Sequence, residues 1–250
     1  SLPKHIELAG FFDIDQKKSF QLSIFFKTKQ YLSLEEALND ETISSVIIAT
    51  SHDSLSELTI KCIQCNKHVF VEKPGGRNFN EILKIKQHFK TSNLKLAFGF
   101  NHRFHRALRK AKNLIKKNVI GDLMYIRGRY GHGGRLGYAE EWRANPKVSG
   151  GGELIDQGPH LIDLSRMFLG DFDINYSTLK TYYWDMPVED NAFMILNTKT
   201  KKTAFLHVSL RKSNCAFEIP PLYGKYRRFF PFKPDTQFTP FLLKSLGLYF

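Results

Sequence analysis

The sequence predicts an α/β protein in two parts: a doubly wound parallel sheet over residues 1–100, then an α+β domain with a largely antiparallel, open sheet over residues 101–250. Three observations carry this. Through the first hundred residues, short apolar runs rich in β-branched residues ("SVIIAT" is the clearest) alternate with helical patterns, the grammar of strand–helix–strand units. From about Arg103 that alternation stops. A helix-flanked block then gives way to three strand-like runs separated by turns, as in an antiparallel sheet.

Taken in order, strands are expected at residues 7–12, 46–50, 68–71 and 94–99, and helices at 16–26, 34–39, 54–66 and 78–90. Ligands on a parallel sheet sit at the carboxyl ends of its strands, so the residues that follow each strand are the ones to read. These are Asp13, then Thr50, Ser51 and His52, then Glu72 and Lys73 before a proline, and finally Asn101. The second part opens with a basic helix, "FHRALRKAKNLIKKN", and a strand, "DLMYIRGRYG". A Gly- and charge-rich loop over 131–152 leads to "SGGGELIDQGPHLIDL", read as one helix. On such a helix Asp156, His160 and Asp163 stand at i, i+4 and i+7, on a single face. The runs "YSTLKTYYWDM", "NAFMILNT" and "TAFLHVSL" supply the sheet. The chain begins at Ser1 almost inside a strand and finishes in "RRFFPFKPDTQFTPFLLKSLGLYF", which has prolines, phenylalanines and no clean period; both ends are expected to be cut or altered.

Composition narrows the class. With 42% hydrophobic and 24% charged residues the chain reads as an ordinary globular protein. No apolar run reaches the length of a bilayer span and no signal-peptide pattern opens the chain, so no membrane partner is expected. Three cysteines cannot complete a disulfide framework, which points to the cytoplasm. Cys62 and Cys65 form a CxxC inside an expected helix with no second ligand pair, so a buried structural role is favoured over metal or redox chemistry. The net charge of +13 would attract nucleic acid, acidic lipid or an anionic substrate. The lysines are scattered rather than gathered on one helix face, and no nucleic-acid motif is present; a solvated basic surface is the reading taken. His102 and His105 have a metal-compatible spacing but no carboxylate or cysteine close by, and no metal is expected.

Three constellations carry chemistry. Asp13 closes the first strand in "FFDID", where an acid accepts the ribose hydroxyls of a dinucleotide and repels a 2′-phosphate. No arginine follows it, which favours NAD over NADP; the plain alternative is a helix N-cap, a role also open to Asp15. In "HVFVEKPGG" the proline stops the strand and fixes the direction of Lys73, whose charge at a sheet edge favours alkoxide character as a proton leaves a hydroxyl. A surface lysine at a strand end is the plain alternative. His160, one turn after Asp156, is an imidazole suited to take a hydroxyl proton, with a carboxylate to orient it or the substrate. The glycine run before it permits close approach of another group; following a long loop rather than a strand, it is not a phosphate cradle.

At this point "VEKPGG", "GFNHRFHRALRKAK", "EEWRANPKVSGGGELIDQGPHLIDLSRMFLGDF" and "WDMPVEDNAFMIL" together resemble the glucose–fructose oxidoreductase/inositol dehydrogenase (Gfo/Idh/MocA) family, over residues 7–208. The resemblance implies a Rossmann-like first domain, a second domain with an open sheet, and NAD(P)-dependent oxidation or reduction of a sugar-like carbinol. It assigns Lys73 as the catalytic lysine, Asp156 and His160 as the pair that binds substrate and exchanges the proton, and Asp13 as the ribose acid. Thr50, Ser51 and His52 fall in the cofactor loop, Glu72 beside the nicotinamide ribose, and Asn101 and Arg103 near nicotinamide and substrate. The departures are the family's GxGxxG turn with its first strand, which these residues lack, and "SHDSL" after "IIAT", where many relatives carry proline-asparagine and a later histidine at the place of Leu55.

The expected function is thus hydride transfer between NAD and a sugar or sugar derivative, nucleotide-activated sugars included. His160 would exchange the hydroxyl proton and Lys73 stabilise the alkoxide. Arg135, Tyr138, Trp142 and Arg143, in the loop before the histidine helix, would hold sugar hydroxyls or the phosphate of an activated sugar, against the alternative of plain solvent-loop residues. The expected partners are that small molecule and a further copy of the chain through the C-terminal sheet, with neither nucleic acid nor membrane. The alternative is a catalytically inactive, truncated family member that acts at most as a binding protein. A nucleic-acid-binding module resting on the +13 charge is the last of the three readings.

Overall fold

A computed structural model describes residues 6–131 and 133–210, and the backbone of 216–218. These residues fall into two compact units. One runs to Thr50 and resumes over Ser54–Gly99; the other holds Ser51–Asp53 and the described residues from Phe100 onward.

In the first unit every strand pairing is parallel. Strands β1 (Gly10–Phe11) and β2 (Lys29–Gln30) form one small sheet. Strands β3 (Ser45–Ile48), β4 (His68–Val71) and β5 (Leu96–Phe98) form a second, in that order. Helices α1 (Gln16–Phe26), α2 (Leu34–Asn39), α3 (His52–Gln64) and α4 (Phe79–Phe89) connect them. Local chemistry sets the helix starts: Asp15, Ser33 and Asn78 are the N-caps of α1, α2 and α4, each accepting from a backbone N–H of the first turn. The core is Ile48, Val69 and Val71 from the strands against Leu55, Cys62 and Ile63 of α3 and Ile85 of α4. Alternation puts Ile47 and Phe70, which are partners in register, on the opposite and exposed face.

Helices α1 and α2 and strand β4 fall on their expected bounds. The first strand is shorter than expected, and β2 was not anticipated, because a two-residue pairing has no periodicity to read. That pairing needs Gly10: a Cβ there would lie 2.2 Å from the Lys29 carbonyl oxygen.

The second unit begins with a 3₁₀ turn (Asn101–Phe104), then α5 (Arg106–Lys116) and β6 (Tyr125–Gly131). The expected loop contains two further 3₁₀ turns (Tyr138–Glu140, Trp142–Ala144) and a short helix, α6 (Pro146–Ser149). After α7 (Glu153–Asp156) and α8 (Gly158–Leu169) come β7 (Phe172–Lys180), β8 (Asn191–Thr198), β9 (Thr203–Ser209) and β10 (Ala216–Glu218). The sheet order is β10-β6-β9-β8-β7, antiparallel except for β6 with β9. Its inner face, with Ile126, Ala192, Met194, Leu196, Ala204, Leu206 and Val208, packs on Leu161, Leu164 and Leu169 of α8 and Leu108 of α5. Burying each of the larger side chains contributes about 1.5–3 kcal/mol before entropy. The fold class is therefore α/β, with a parallel Rossmann-like sheet followed by a mixed sheet.

Two expectations are corrected. The run "YSTLKTYYWDM" is not one strand. β7 starts earlier, at Phe172, and stops at Lys180, because the Asp190 carboxylate collects the backbone N–H groups of Tyr182, Tyr183 and Trp184 and curls the chain. Nor is the histidine stripe one helix. It breaks at Gln157, since Pro159 in the first turn of α8 has no N–H to give and its ring would crowd the preceding turn. The expected irregular tail lies outside the described residues, apart from β10. Cys62 is buried, its thiol pushed up to about 11 by that burial. Among the described residues no helix is long and apolar enough to cross a membrane, and no group of three or more His, Cys, Asp or Glu is placed to hold a metal.

Candidate active site

In the first unit the strand ends carry the expected residues on fixed turns. Asp13 follows β1; its Oδ1 accepts from the Asp15 N–H at 2.8 Å, while Asp15 itself caps α1. Asp13 is therefore not the cap. Thr50 accepts a hydrogen bond from the Ser54 hydroxyl at 2.7 Å. Glu72 extends β4, its N–H donating to the Ile48 carbonyl at 2.9 Å, and its carboxylate accepts from the Lys73 N–H at 3.2 Å. Gly99 leaves room for that carboxylate, which would lie 3.0 Å from a Cβ. The turn after Lys73 is held on both sides. Gly75, at φ 86°, lies against the Phe98 ring, and Arg77 donates to Glu81 from its backbone at 2.7 Å and from Nε at 2.9 Å. Lys73 itself, at the strand end, is half-buried.

His52 belongs to the second unit. Its ring is buried, with Nδ1 2.8 Å from the Ser149 carbonyl oxygen, and it meets the Trp142 ring edge-on at 4.9 Å. Next to it, on the expected cofactor loop, Ser51 donates to Asp53 at 2.6 Å. The guanidinium of Arg143 lies 4.5 Å over the Trp142 ring, and its Nε is 3.5 Å from Asp156 Oδ2. Arg135 is largely exposed and bound to Glu141 at 2.5 and 2.8 Å. Tyr138 is buried, and its phenol is pushed well above the ordinary value by that burial and by the charges of Glu153 and Asp156, so it remains a donor. His52, Tyr138, Arg143, Ser149, Glu153 and Asp156 line a narrow recess.

The glycine run docks one segment. Gly152 and Leu154 donate their N–H groups to the Glu189 carboxylate at 3.0 Å each, and Glu153 N–H donates to the Glu189 carbonyl at 3.0 Å. The group whose close approach the glycines permit is thus Glu189.

Asp156 at the end of α7 and His160 in the first turn of α8 are both buried. Gln157 donates to Asp156 at 3.2 Å. The His160 ring stacks on His102 at 3.9 Å and 14°, with Phe100 and Tyr130 each 6.4 Å away. Arg103 is paired: its Nε donates to Asp163 at 2.6 Å within a two-point pair, and that pairing raises its pKa. Asn101 is exposed at the start of its 3₁₀ turn. His102, Tyr130 and Glu189 are neighbours that sequence reasoning missed. The spacing of His102 to His105 speaks only to metal, and the stack and the Glu189 dock join segments with no common period.

Residues 1–100 match the "Oxidoreductase family, NAD-binding Rossmann fold" and residues 108–219 the "GFO/IDH/MocA C-terminal domain". The chain belongs to the Gfo/Idh/MocA family. It is similar to a levoglucosan dehydrogenase of Pseudarthrobacter phenanthrenivorans, 28% identical over 64% of this chain and 42% of that protein. It is also similar to a myo-inositol 2-dehydrogenase of Thermotoga maritima, 30% identical over 57% of this chain and 41% of that protein. The matched stretch spans about two fifths of each of these relatives. A levoglucosan dehydrogenase solved with NADH superposes with a TM-score of 0.78 at 22% identity, over 84% of this chain and 60% of that one. An NAD-binding protein from Listeria innocua gives 0.74 at 26% identity, over 86% and 62%.

Proposed function

We propose that this chain is the cofactor- and substrate-handling part of an NAD-dependent oxidoreductase acting on a sugar or sugar derivative. The observation that carries the reading is a buried His160 in the first turn of α8, directly after the buried Asp156, in a chain of this family. The relatives' names, a levoglucosan and a myo-inositol dehydrogenase, support a cyclic polyol substrate.

The residues fit NAD at its adenosine ribose: Asp13 has one carboxylate oxygen in its turn, and its second oxygen accepts no hydrogen bond among the described residues. When bound, the nicotinamide supplies the hydride acceptor or donor. Everything else falls to the chain. Asp13 holds the ribose hydroxyls and selects NAD over NADP by repelling a 2′-phosphate. Glu72, with Thr50, Ser51 and Asn101, serves the cofactor side. Lys73, fixed by its turn, places positive charge where a hydroxyl becomes an alkoxide. His160 takes or returns the hydroxyl proton, and Asp156 orients the substrate.

For the loop residues the roles are uneven. Arg143 and Tyr138 flank Asp156 in the recess and serve substrate positioning, with Trp142 beneath the guanidinium. Arg135 and Arg103 reach substrate only by giving up their carboxylate partners. The protein is assigned to the cytoplasm and to a homo-oligomer formed through the second unit's sheet.

Cofactor titration tests the first step: fluorescence of NADH and NADPH on the protein should show preference for NADH, and Asp13→Ala should cut that preference about tenfold. Equal affinity for both nucleotides in the unaltered protein would remove the Asp13 assignment.

A further inference from the structure

The stacked imidazoles have a consequence beyond the family's proton exchange. Parallel rings 3.9 Å apart, tilted by only 14°, cannot hydrogen-bond to each other, because their N–H groups lie in the ring planes. No proton passes between them; they feel each other through charge. Protonating both would set two positive charges about 4 Å apart beside a buried side chain. We propose that His102 and His160 form a coupled pair that holds at most one proton near neutral pH, with His102 a positioning residue that opposes protonation of His160 and fixes its ring plane.

The surroundings agree. From β6 comes Tyr130, whose ring is 5.3 Å from His102 and 6.4 Å from His160. From the 3₁₀ turn comes Arg103, its charge matched by Asp163 of α8 itself. From α7 come Asp156, shared with Arg143, and Glu153, which acts on Tyr138. Helix α5 and strands β8 and β9 give α8 apolar side chains, among them Leu108, Met194 and Leu206. The second ring is what opposes a second proton on the pair.

The consequence for turnover rests on His160 being the proton-exchanging group, but the paired titration does not. The test is proton–carbon NMR of the whole chain with Cε1-labelled histidine across neutral pH. His102→Phe keeps a stacked ring and removes the second charge. It should raise the His160 midpoint by about one pH unit. His160→Phe should do the same for His102, and His102→Gln serves if the phenylalanine variant does not fold. A His160 midpoint that stays put without the second imidazole overturns the pair. In the intact oxidoreductase the acid limb of kcat/KM should move with the midpoint. A moving midpoint with a fixed acid limb would keep the pair and overturn the proton-exchange role of His160.

Discussion

At Gly152 a single added methyl group would sit 1.9 Å from the Glu189 carbonyl oxygen, closer than any two such atoms pack. Gly152→Ala should therefore lower unfolding free energy by about 3 kcal/mol in urea melts, by forcing Glu189 off the α7 start. A loss below about 0.5 kcal/mol would mean that the dock is dispensable. Arg103 and Asp163 give a second contrast, because the carboxylate is buried and the guanidinium half exposed. Arg103→Ala strands a buried charge, whereas Asp163→Asn leaves an amide facing a solvated cation. The first should cost more, about 2 against about 1 kcal/mol; the reverse order in thermal melts would contradict the geometry. At this scale the sequence was partly legible. Asp156 and His160 stand out as an acid and an imidazole after a glycine run, and Lys73 as a lysine stopped by proline. The ring that lies on His160 comes from fifty-eight positions earlier. Nothing local announces it.

Among the elements, periodicity identified α1, α2 and β4 to the residue, because caps and apolar spacing agree there. It failed where one carboxylate reorganised a segment, as Asp190 does between β7 and β8, and where Pro159 divided the histidine stripe. The sheet also sets the acid response of the second unit. The Nε2–H of His207 on β9 donates to Asn191 Oδ1 at 2.9 Å, and burial, with help from Arg129, holds its pKa below the ordinary 6.5. Burial lowers His105 in the same direction. Each is held neutral in the fold and binds a proton more readily once unfolded, so its contribution is intact above about pH 6.5 and is lost as pH falls through the lower folded value. Asp190 acts only at lower pH. Burial would raise its carboxyl, but the Trp184 N–H, the Asn191 side chain and the Tyr182 and Tyr183 N–H groups outweigh this and hold it below 3.8. Urea midpoints should fall between about pH 7.5 and 5.5, less steeply in His207→Gln. An unchanged slope in that variant would clear His207.

Across the whole molecule, the division into a strand–helix alternation and a later antiparallel sheet was readable, because two periods of hydrophobicity succeed each other. The parallel pairing of β6 with β9 was not, since strand order carries no local signal. On the outer face of that sheet, Tyr125 and Phe205 meet at 6.3 Å and remain exposed. If copies pair there, sedimentation should give a multiple of the chain mass and Phe205→Glu should return it to one copy; an unaltered assembly would place the contact elsewhere. NAD reduction by the intact protein, followed against a panel of cyclic polyols and sugars and alongside His160→Gln, decides whether this chemistry is present. Turnover of at least one of them is expected, with a fall in kcat of about a hundredfold or more in the variant. Turnover undiminished by His160→Gln, or an unaltered protein that folds and still turns over no sugar with NAD, would contradict it.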